Sequence, residues 1–360
     1  MKRIRLALSA MSAMLVVSLV ACGGDSKLTG PAQYKSTVLV SDGSVPAAHV
    51  DPNLKNPWGI AFNPKAFVWV SDNGTQRATL YDGDGVPQSL VVTISEGTSG
   101  PSNPTGVVFN GTTDFVVSQA GKSGVGVFIF AGEGGTITAW APAVNATQAI
   151  TMFDDGSGGA VYKGLALASN NGANFLFAAD FHNNKIDVFD KSFNKVTTAG
   201  AFQDPALPAG FAPFGIQAIG SKLYVTYAKQ DADAHDDVKG PGLGFVNVFD
   251  TAGRMIQRFA SGGPLNAPWG VAMAPSDFAR FSHDILIGNF GDGTINAFDA
   301  DSGTFQGTLE RKDGTQIVQD GLWGIAFGNG LDNQPVNTLF FAAGPNDEAN
   351  GVYGRIDVDQ

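Results

Sequence analysis

The sequence predicts an all-β chain folded as a six-bladed propeller with four-stranded blades. Three observations carry that prediction. A Gly heads a short apolar run six times: NPWGIAF (Gly59), NPTGVVF (Gly106), VYKGLAL (Gly164), APFGIQA (Gly215), APWGVAM (Gly270) and GLWGIAF (Gly324), at intervals of 47 to 58 residues. A period near 50 residues built from short strands marks a radial array and not one continuous sheet. The chain has 47 Gly and 18 Pro, a usage that speaks for many tight turns, and its main part shows no helix-length apolar periodicity.

The elements follow in chain order. Lys2, Arg3 and Arg5 give a basic start, and Leu6 to Val20 is apolar. That stretch is shorter than the ~20 residues of a spanning helix and ends at small residues, so residues 1–21 are expected to be an export signal. Leu19-Val20-Ala21-Cys22 resembles the bacterial lipobox. The resemblance implies cleavage before Cys22, lipidation of that residue and attachment to the cell envelope. Gly23 in place of Asp implies the outer membrane in a host that has one. The alternatives are an ordinary signal peptide cut nearby or a short anchor. Cys22 is the single cysteine, so no internal disulfide is available. Residues 22–33 are small and polar and predict a flexible tether, which leaves 34–360 as the propeller.

The fifth repeat shows the blade most plainly: WGVAM, DILIG, TINAF and TFQGTL are four strands, linked by the Gly/Asp turns NFGDG and DADSG. The third repeat matches it with GLALA, FLFAAD, KIDVFD and KVTTAGAF. The first gives VWVSD and ATLYD, and the fourth LYVTY and FVNVFD. In the second, VFIFAG and TITAW are the middle strands, leaving Thr112 to Gly124 as an insertion. The sixth supplies WGIAF, TLFFAA and VYGRIDV and then lacks a fourth strand. YKSTVLVSD (Tyr34–Asp42) alternates like a strand and has no blade of its own. It is expected to pair outside YGRIDV and close the ring, leaving no unfilled edge.

The GIAF, LFAAD and NNKIDVFD phrases resemble NHL-type propellers. More narrowly, TYAKQDADAHDDVKGPGLGFVNVFD and AVYKGLAL resemble an uncharacterised bacterial family of exported propellers often found with PEP-CTERM systems. The resemblance spans nearly the whole of 34–360 but departs at the end, since YGRIDVDQ carries no PEP-CTERM tail. It implies a fold and a location and no established activity. A looser likeness to gluconolactonase and streptogramin-lyase propellers raises the question of metal-dependent catalysis.

Charge narrows the partners. The chain has 22 basic and 33 acidic side chains, a formal charge of −11, and loss of the basic leader makes it more negative. Such a surface repels nucleic acid and anionic lipid and attracts cations or basic partners. A monomer is expected.

Propeller ligands sit at a channel mouth. The residues before each repeat Gly face it: Trp58, Thr105, Lys163, Phe214, Trp269 and Trp323. The three Trp belong to contiguous blades, so they either form an aromatic arc for a sugar or flat apolar ligand or fill the wedge between blades. Asp72, Asp180 and Asn289 end second strands, with Glu133 and His182 close behind. They are candidates for converging on a ligand, or else cap turns. His49 and His283 have no neighbours that suggest a role. The long link AKQDADAHDDVKGPGLG crowds Asp231, Asp233, His235, Asp236 and Asp237 together. It is either a solvated acidic loop, a loop ordered by Ca²⁺, or a transition-metal site through His235. It is no EF-hand, because Asp236 stands where Gly is required and Gly242 where a bidentate Glu belongs. AGKSG (Ala120–Gly124) lacks the earlier Gly and the following helix of a phosphate loop. The FD pairs at Asp190, Asp250 and Asp299 are expected to cap turns.

The first expectation for function is therefore a lipid-anchored, exported binding or scaffold propeller that engages a glycan, peptide or partner protein. The alternative is a metal-dependent hydrolase or lyase at the mouth. A purely structural spacer in the cell envelope is the third.

Overall fold

The computed structural model describes residues 33–197 and 200–359. The predicted signal peptide, Cys22 and most of the tether lie outside the described residues. The fold is all-β and propeller-like, and the helices among the described residues are three single turns at Asn73–Thr75, Gly156–Gly158 and Ala279–Phe281.

Six inner strands succeed one another around an axis: Pro57–Phe62, Pro104–Phe109, Tyr162–Asn170, Phe211–Ile219, Pro268–Met273 and Leu322–Phe327. The repeat Gly is what lets them come so close. A Cβ on Gly59 would lie 2.6 Å from the Thr105 carbonyl oxygen of the next inner strand, and one on Gly324 would lie 2.5 Å from the Trp58 oxygen. The remaining four make the same approach to the next repeat, so the circuit returns to its start. Pairing within each sheet slips at this point. Pro57 faces Asp72 while Ile60 faces Val70, and the same bulge recurs between Pro268 and Val271 and between Leu322 and Ile325. A bulge bends the strand locally, here toward its neighbour in the ring.

Three sheets are simple four-stranded meanders, starting from Tyr162–Asn170, Phe211–Ile219 and Pro268–Met273. The first two repeats also make four-stranded sets. Their outer strands, Val92–Ile94 and Gln148–Asp154, pair in parallel through Thr93–Gln148 and Ile94–Ala149, so the two sets share one eight-stranded sheet. The sheet of the last repeat is completed from the other end of the described chain. Tyr34–Ser41 runs antiparallel to Val352–Val358, from Tyr34–Val358 to Ser41–Val352 with a bulge at Leu39. His49–Val50 then adds in parallel outside it. Tyr34, Leu39 and Val40 are buried, and the Tyr34 hydroxyl donates to the Phe278 carbonyl at 3.1 Å.

Two details differ from expectation. The last strand of the third repeat shrinks to Lys195–Val196. The insertion after Pro104–Phe109 folds as its own ribbon, Val116–Gln119 with Lys122–Val125, and no helix follows the GKS triplet. The FD turns do cap: the Asp190 carboxylate accepts the backbone N–H groups of Ser192 and Asn194 at 2.8 and 2.9 Å, and Asp250 does the same for Ala252 and Arg254.

The two ends of the axis differ in chemistry. Where the inner strands finish, the channel opens as a cavity of about 370 Å³ lined by three residues from each of them, among which only Gln217 is polar. Where they begin, charge gathers.

Candidate functional site

At the starting end of the inner strands, aromatic rings close the channel. Trp323 lies between Trp58 and Phe290, with ring centroids 3.4 and 3.9 Å apart and planes within 18° of parallel. Trp269 meets Trp58 and Trp323 edge-on at 5.9 and 5.8 Å. The three Trp expected at the mouth are thus together, but they are 1 to 9 % exposed and stack chiefly on each other. The edge-on contacts of Trp269 are a favoured aromatic geometry, whereas the two parallel pairs sit face to face. The Trp323 indole donates to Asn56 Oδ1 at 3.1 Å, whereas the indole N–H groups of Trp58 and Trp269 have no partner.

An ammonium caps each end of the stack. Lys163 Nζ stands 5.1 Å from the Trp58 ring centroid and Lys239 Nζ stands 4.3 Å from that of Phe290. They are held very differently. The Lys163 side chain is 1 % exposed, and its Nζ donates to Glu133 Oε1 at 2.5 Å and to Asp236 Oδ1 at 3.2 Å. Burial works against its charge, but the two carboxylates outweigh burial and hold its pKa above the ordinary lysine value. Lys239 is exposed and makes no ion pair among the described residues. A cation–ring contact made by an exposed ammonium is worth about 0.5–1 kcal/mol.

The long acidic link is a lid over this plug. Its Gln230 side chain donates to the Phe181 carbonyl at 2.6 Å, Asp236 pairs with Lys163, Lys239 covers Phe290, and the Gly240 N–H reaches Asn266 Oδ1 at 2.7 Å. Within the lid the Asp231 carboxylate accepts the His235 N–H at 2.9 Å, and Asp233 is exposed. His235 Nδ1 lies 3.0 Å from Asp236 Oδ1. That contact raises the His235 pKa and, with Lys163 adding to it, holds the Asp236 carboxyl well below the usual range. Asp237 carries a buried Oδ2 without a partner, and burial pushes its pKa up to about 7. Glu348, from the last repeat, is also raised by burial although Asn56 Nδ2 donates to it at 2.7 Å.

The expected metal ligands sort unevenly. Among the described residues, Glu133, His235 and Asp236 bring ligand atoms within 4.8 Å of one another. Those atoms are already engaged: Lys163 takes Glu133 Oε1 and Asp236 Oδ1, and Asn73 Nδ2 takes Glu133 Oε2 at 2.8 Å. The ammonium of Lys163 therefore sits where the carboxylates converge, and a hard cation fits there only if it moves.

The remaining candidates fasten links. Asp180 accepts the N–H groups of Val161 and Asn183 at 3.2 and 3.3 Å, and Asn289 accepts that of Asn266 at 3.1 Å. Asp72 is fully buried with both carboxyl oxygens unpartnered, and burial drives its pKa well up. His182 is exposed at the surface. Sequence reasoning did not single out Asn56, Lys239 or Glu348. Asn56 had a signal, since Asn56 and Asn103 both precede a repeat Pro and both adopt positive φ, 43° and 47°.

Solved structures share this fold. A catalytically inactive virginiamycin B lyase from Staphylococcus aureus, with quinupristin, is 14% identical over 91% of this chain and 99% of its own, at a TM-score of 0.51. A glucose dehydrogenase is 14% identical over 89% of this chain and 99% of its own, at a TM-score of 0.50. At such identities the likeness is one of fold alone. No protein-family model matches the chain. Two proteins of Acanthamoeba polyphaga mimivirus are nearer in sequence. Uncharacterized protein R648 is 33% identical over 91% of this chain and 81% of its own length, and uncharacterized protein L690 is 34% identical over 91% and 87%. These relatives overturn the expected place in a bacterial family of exported NHL-like propellers. Short strand phrases such as GIAF recur wherever blades pack closely, so they carry fold more than ancestry. The chain belongs to the family of these mimivirus uncharacterized proteins.

Proposed function

We propose that this is a binding protein whose ring counts six blades, the last completed by Tyr34–Ser41, and which receives its ligand at the charged mouth. One observation carries the reading: the ammonium of Lys163 holds the point on which Glu133 and Asp236 converge. A mouth arranged so recognises charge and shape but keeps no open position from which an ion would polarise a carbonyl or activate water. Around it the carboxylates of Glu133, Asp236, Asp237 and Glu348 outnumber the ammoniums of Lys163 and Lys239. The preferred ligand is therefore a peptide, glycan or partner protein that brings positive charge or hydroxyl donors. Arrays of peptides and glycans probed with the protein test this. Binding should fall at least tenfold in Glu133→Gln/Asp236→Asn, and a ligand held equally by both proteins would place recognition elsewhere.

A second reading, a metal-dependent hydrolase or lyase, is favoured by the approach of Glu133, His235 and Asp236. It requires Lys163 to withdraw. Titration with Ca²⁺, Mn²⁺ or Zn²⁺ separates the two, because a metal enzyme would gain melting temperature and the binding protein would not. Export and lipid attachment at Cys22 also remain our reading of the leader. The row Ser36–Ile356–Leu339–Phe327 leads to the apolar end of the axis, so an anchor there leaves the charged mouth facing away from the membrane. Mass spectrometry of the mature N-terminus, with Cys22→Ser as control, tests it.

A further inference from the structure

We propose that Lys239 is an internal stand-in for the ligand, and that the mouth takes the alkylammonium of a lysine side chain on a peptide or protein partner. The inference rests on the reading of the charged mouth as a binding surface and names what that surface receives.

Four observations lead to it. Lys239 comes from the lid, is exposed, and sets its ammonium 4.3 Å above the Phe290 centroid. It makes no ion pair among the described residues, although Asp237 lies close enough to feel its charge. In the same lid segment, two residues from Lys239, Asp237 Oδ2 is buried without a hydrogen-bond partner among the described residues, an acceptor that a second ammonium or a reoriented one would satisfy. Phe290 itself is 3 % exposed and is backed by Trp323 at 3.9 Å, so the seat is rigid. An aromatic face attracts organic cations, and a carboxylate that feels the same cation adds to the attraction. Lys163 is the contrasting case: buried and doubly paired, it cannot be exchanged. The seat under Lys239 is formed, charged to suit a cation, and occupied by a group that little else restrains.

Exchange has a consequence that distinguishes it from ordinary surface binding. If a ligand ammonium displaces Lys239, removing Lys239 removes a competitor. Lys239→Ala should then bind an acetyl-Gly-Lys-Gly-amide peptide about 2- to 5-fold more tightly than the unaltered protein, read by calorimetry and by quenching of the Trp323 stack. The same peptide with an acetylated lysine should bind neither protein. Asp237→Asn, isosteric and making no ring contact of its own, should weaken the lysine peptide, with circular dichroism used to verify the fold. Phe290→Leu should weaken it too, with circular dichroism used to verify the fold. An affinity in Lys239→Ala that is equal to or below that of the unaltered protein overturns the exchange. So does equal binding of the acetylated peptide, or no binding of the lysine peptide to either protein. Each of those results leaves the broader reading to the array comparison with Glu133→Gln/Asp236→Asn, which does not involve Lys239.

Discussion

Single residues decide the chemistry of the mouth, and two of them make predictions of opposite kind. Lys163 is buried and paired with two carboxylates. Lys163→Met keeps the stem and deletes the charge, so Glu133 and Asp236 are left facing each other with no counter-ion between them. Breaking the buried Lys163–Glu133 pair from one side costs up to about 3–5 kcal/mol, to which the exposed Asp236 adds little, and urea unfolding would register it. A loss under 1 kcal/mol would mean water already solvates the pair. Asp72 is the reverse case, a fully buried carboxyl with no ion pair among the described residues, whose burial outweighs the stabilising influence of Thr79. Burial raises its folded pKa, with Asp51 adding to the effect. The unfolded chain ionises near pH 4. Between there and the raised value the folded state binds the extra proton, so stability falls as pH rises, by up to about 1.4 kcal/mol per unit. Asp72→Asn removes that contribution. Its stability should decline less than that of the unaltered protein from pH 4 to 7, with Asp237 (about 7) still contributing the same sign. Parallel pH profiles for the two would refute the buried-charge account. The repeat placed Trp58, Lys163 and Glu133 at this end from the sequence alone. It could not place Glu348 or the pairing of Lys163 with Asp236, because contacts between links of different blades leave no local pattern.

Elements were easier to read where they repeat and harder where they do not. Strand sequences with a Gly at their head announce the inner strands, since a missing side chain is the visible trace of a close approach. Gly215 makes the point sharply: a Cβ there would lie 2.1 Å from the Trp269 carbonyl oxygen, which is backbone and cannot turn aside. Gly215→Ala should therefore force two inner strands apart and cost about 1–3 kcal/mol or more, measured as a lower urea midpoint with an unchanged slope. A neutral Gly215→Ala would show that the strands are not in contact there. The parallel pairing of Val92–Ile94 with Gln148–Asp154 was not legible. It rests on two residue pairs between the edges of neighbouring sheets, and nothing in either strand marks its partner. The ribbon at Val116–Val125 was seen only as surplus length, because its exposed strands lack the apolar alternation that half-burial produces.

At the scale of the molecule, what matters is that a closed circuit of sheets has no free ends, and this chain secures its circuit in one place. The other sheets pair strands within one repeat or, at Val92–Ile94 with Gln148–Asp154, between two successive repeats; among the described strands only Tyr34–Ser41 pairs with a strand from the opposite end of the chain. Arrays that contact only their neighbours unfold from their ends inward, and joining the ends removes the place where unfolding starts. The burial at stake is large for eight residues. Tyr34, Leu39 and Val40 are 1, 7 and 0 % exposed, and losing large buried side chains costs about 2–5 kcal/mol each against a total stability of about 5–15 kcal/mol for a typical domain. Without the strand, Val352–Val358 also becomes a bare edge open to pairing with other chains. A protein starting at residue 42 should consequently melt in a broad, low transition or aggregate. Adding a synthetic peptide of residues 34–42 should restore a sharp melt in proportion to its concentration, because binding to the folded form alone stabilises by mass action. If the shortened protein melts as sharply and as high as the longer one, the strand is a passenger and the ring is held by the inner-strand contacts alone. If it melts low and the peptide does nothing, the tie depends on being part of the same chain, and its strength comes from the entropy of closure and not from the contacts of Tyr34, Leu39 and Val40.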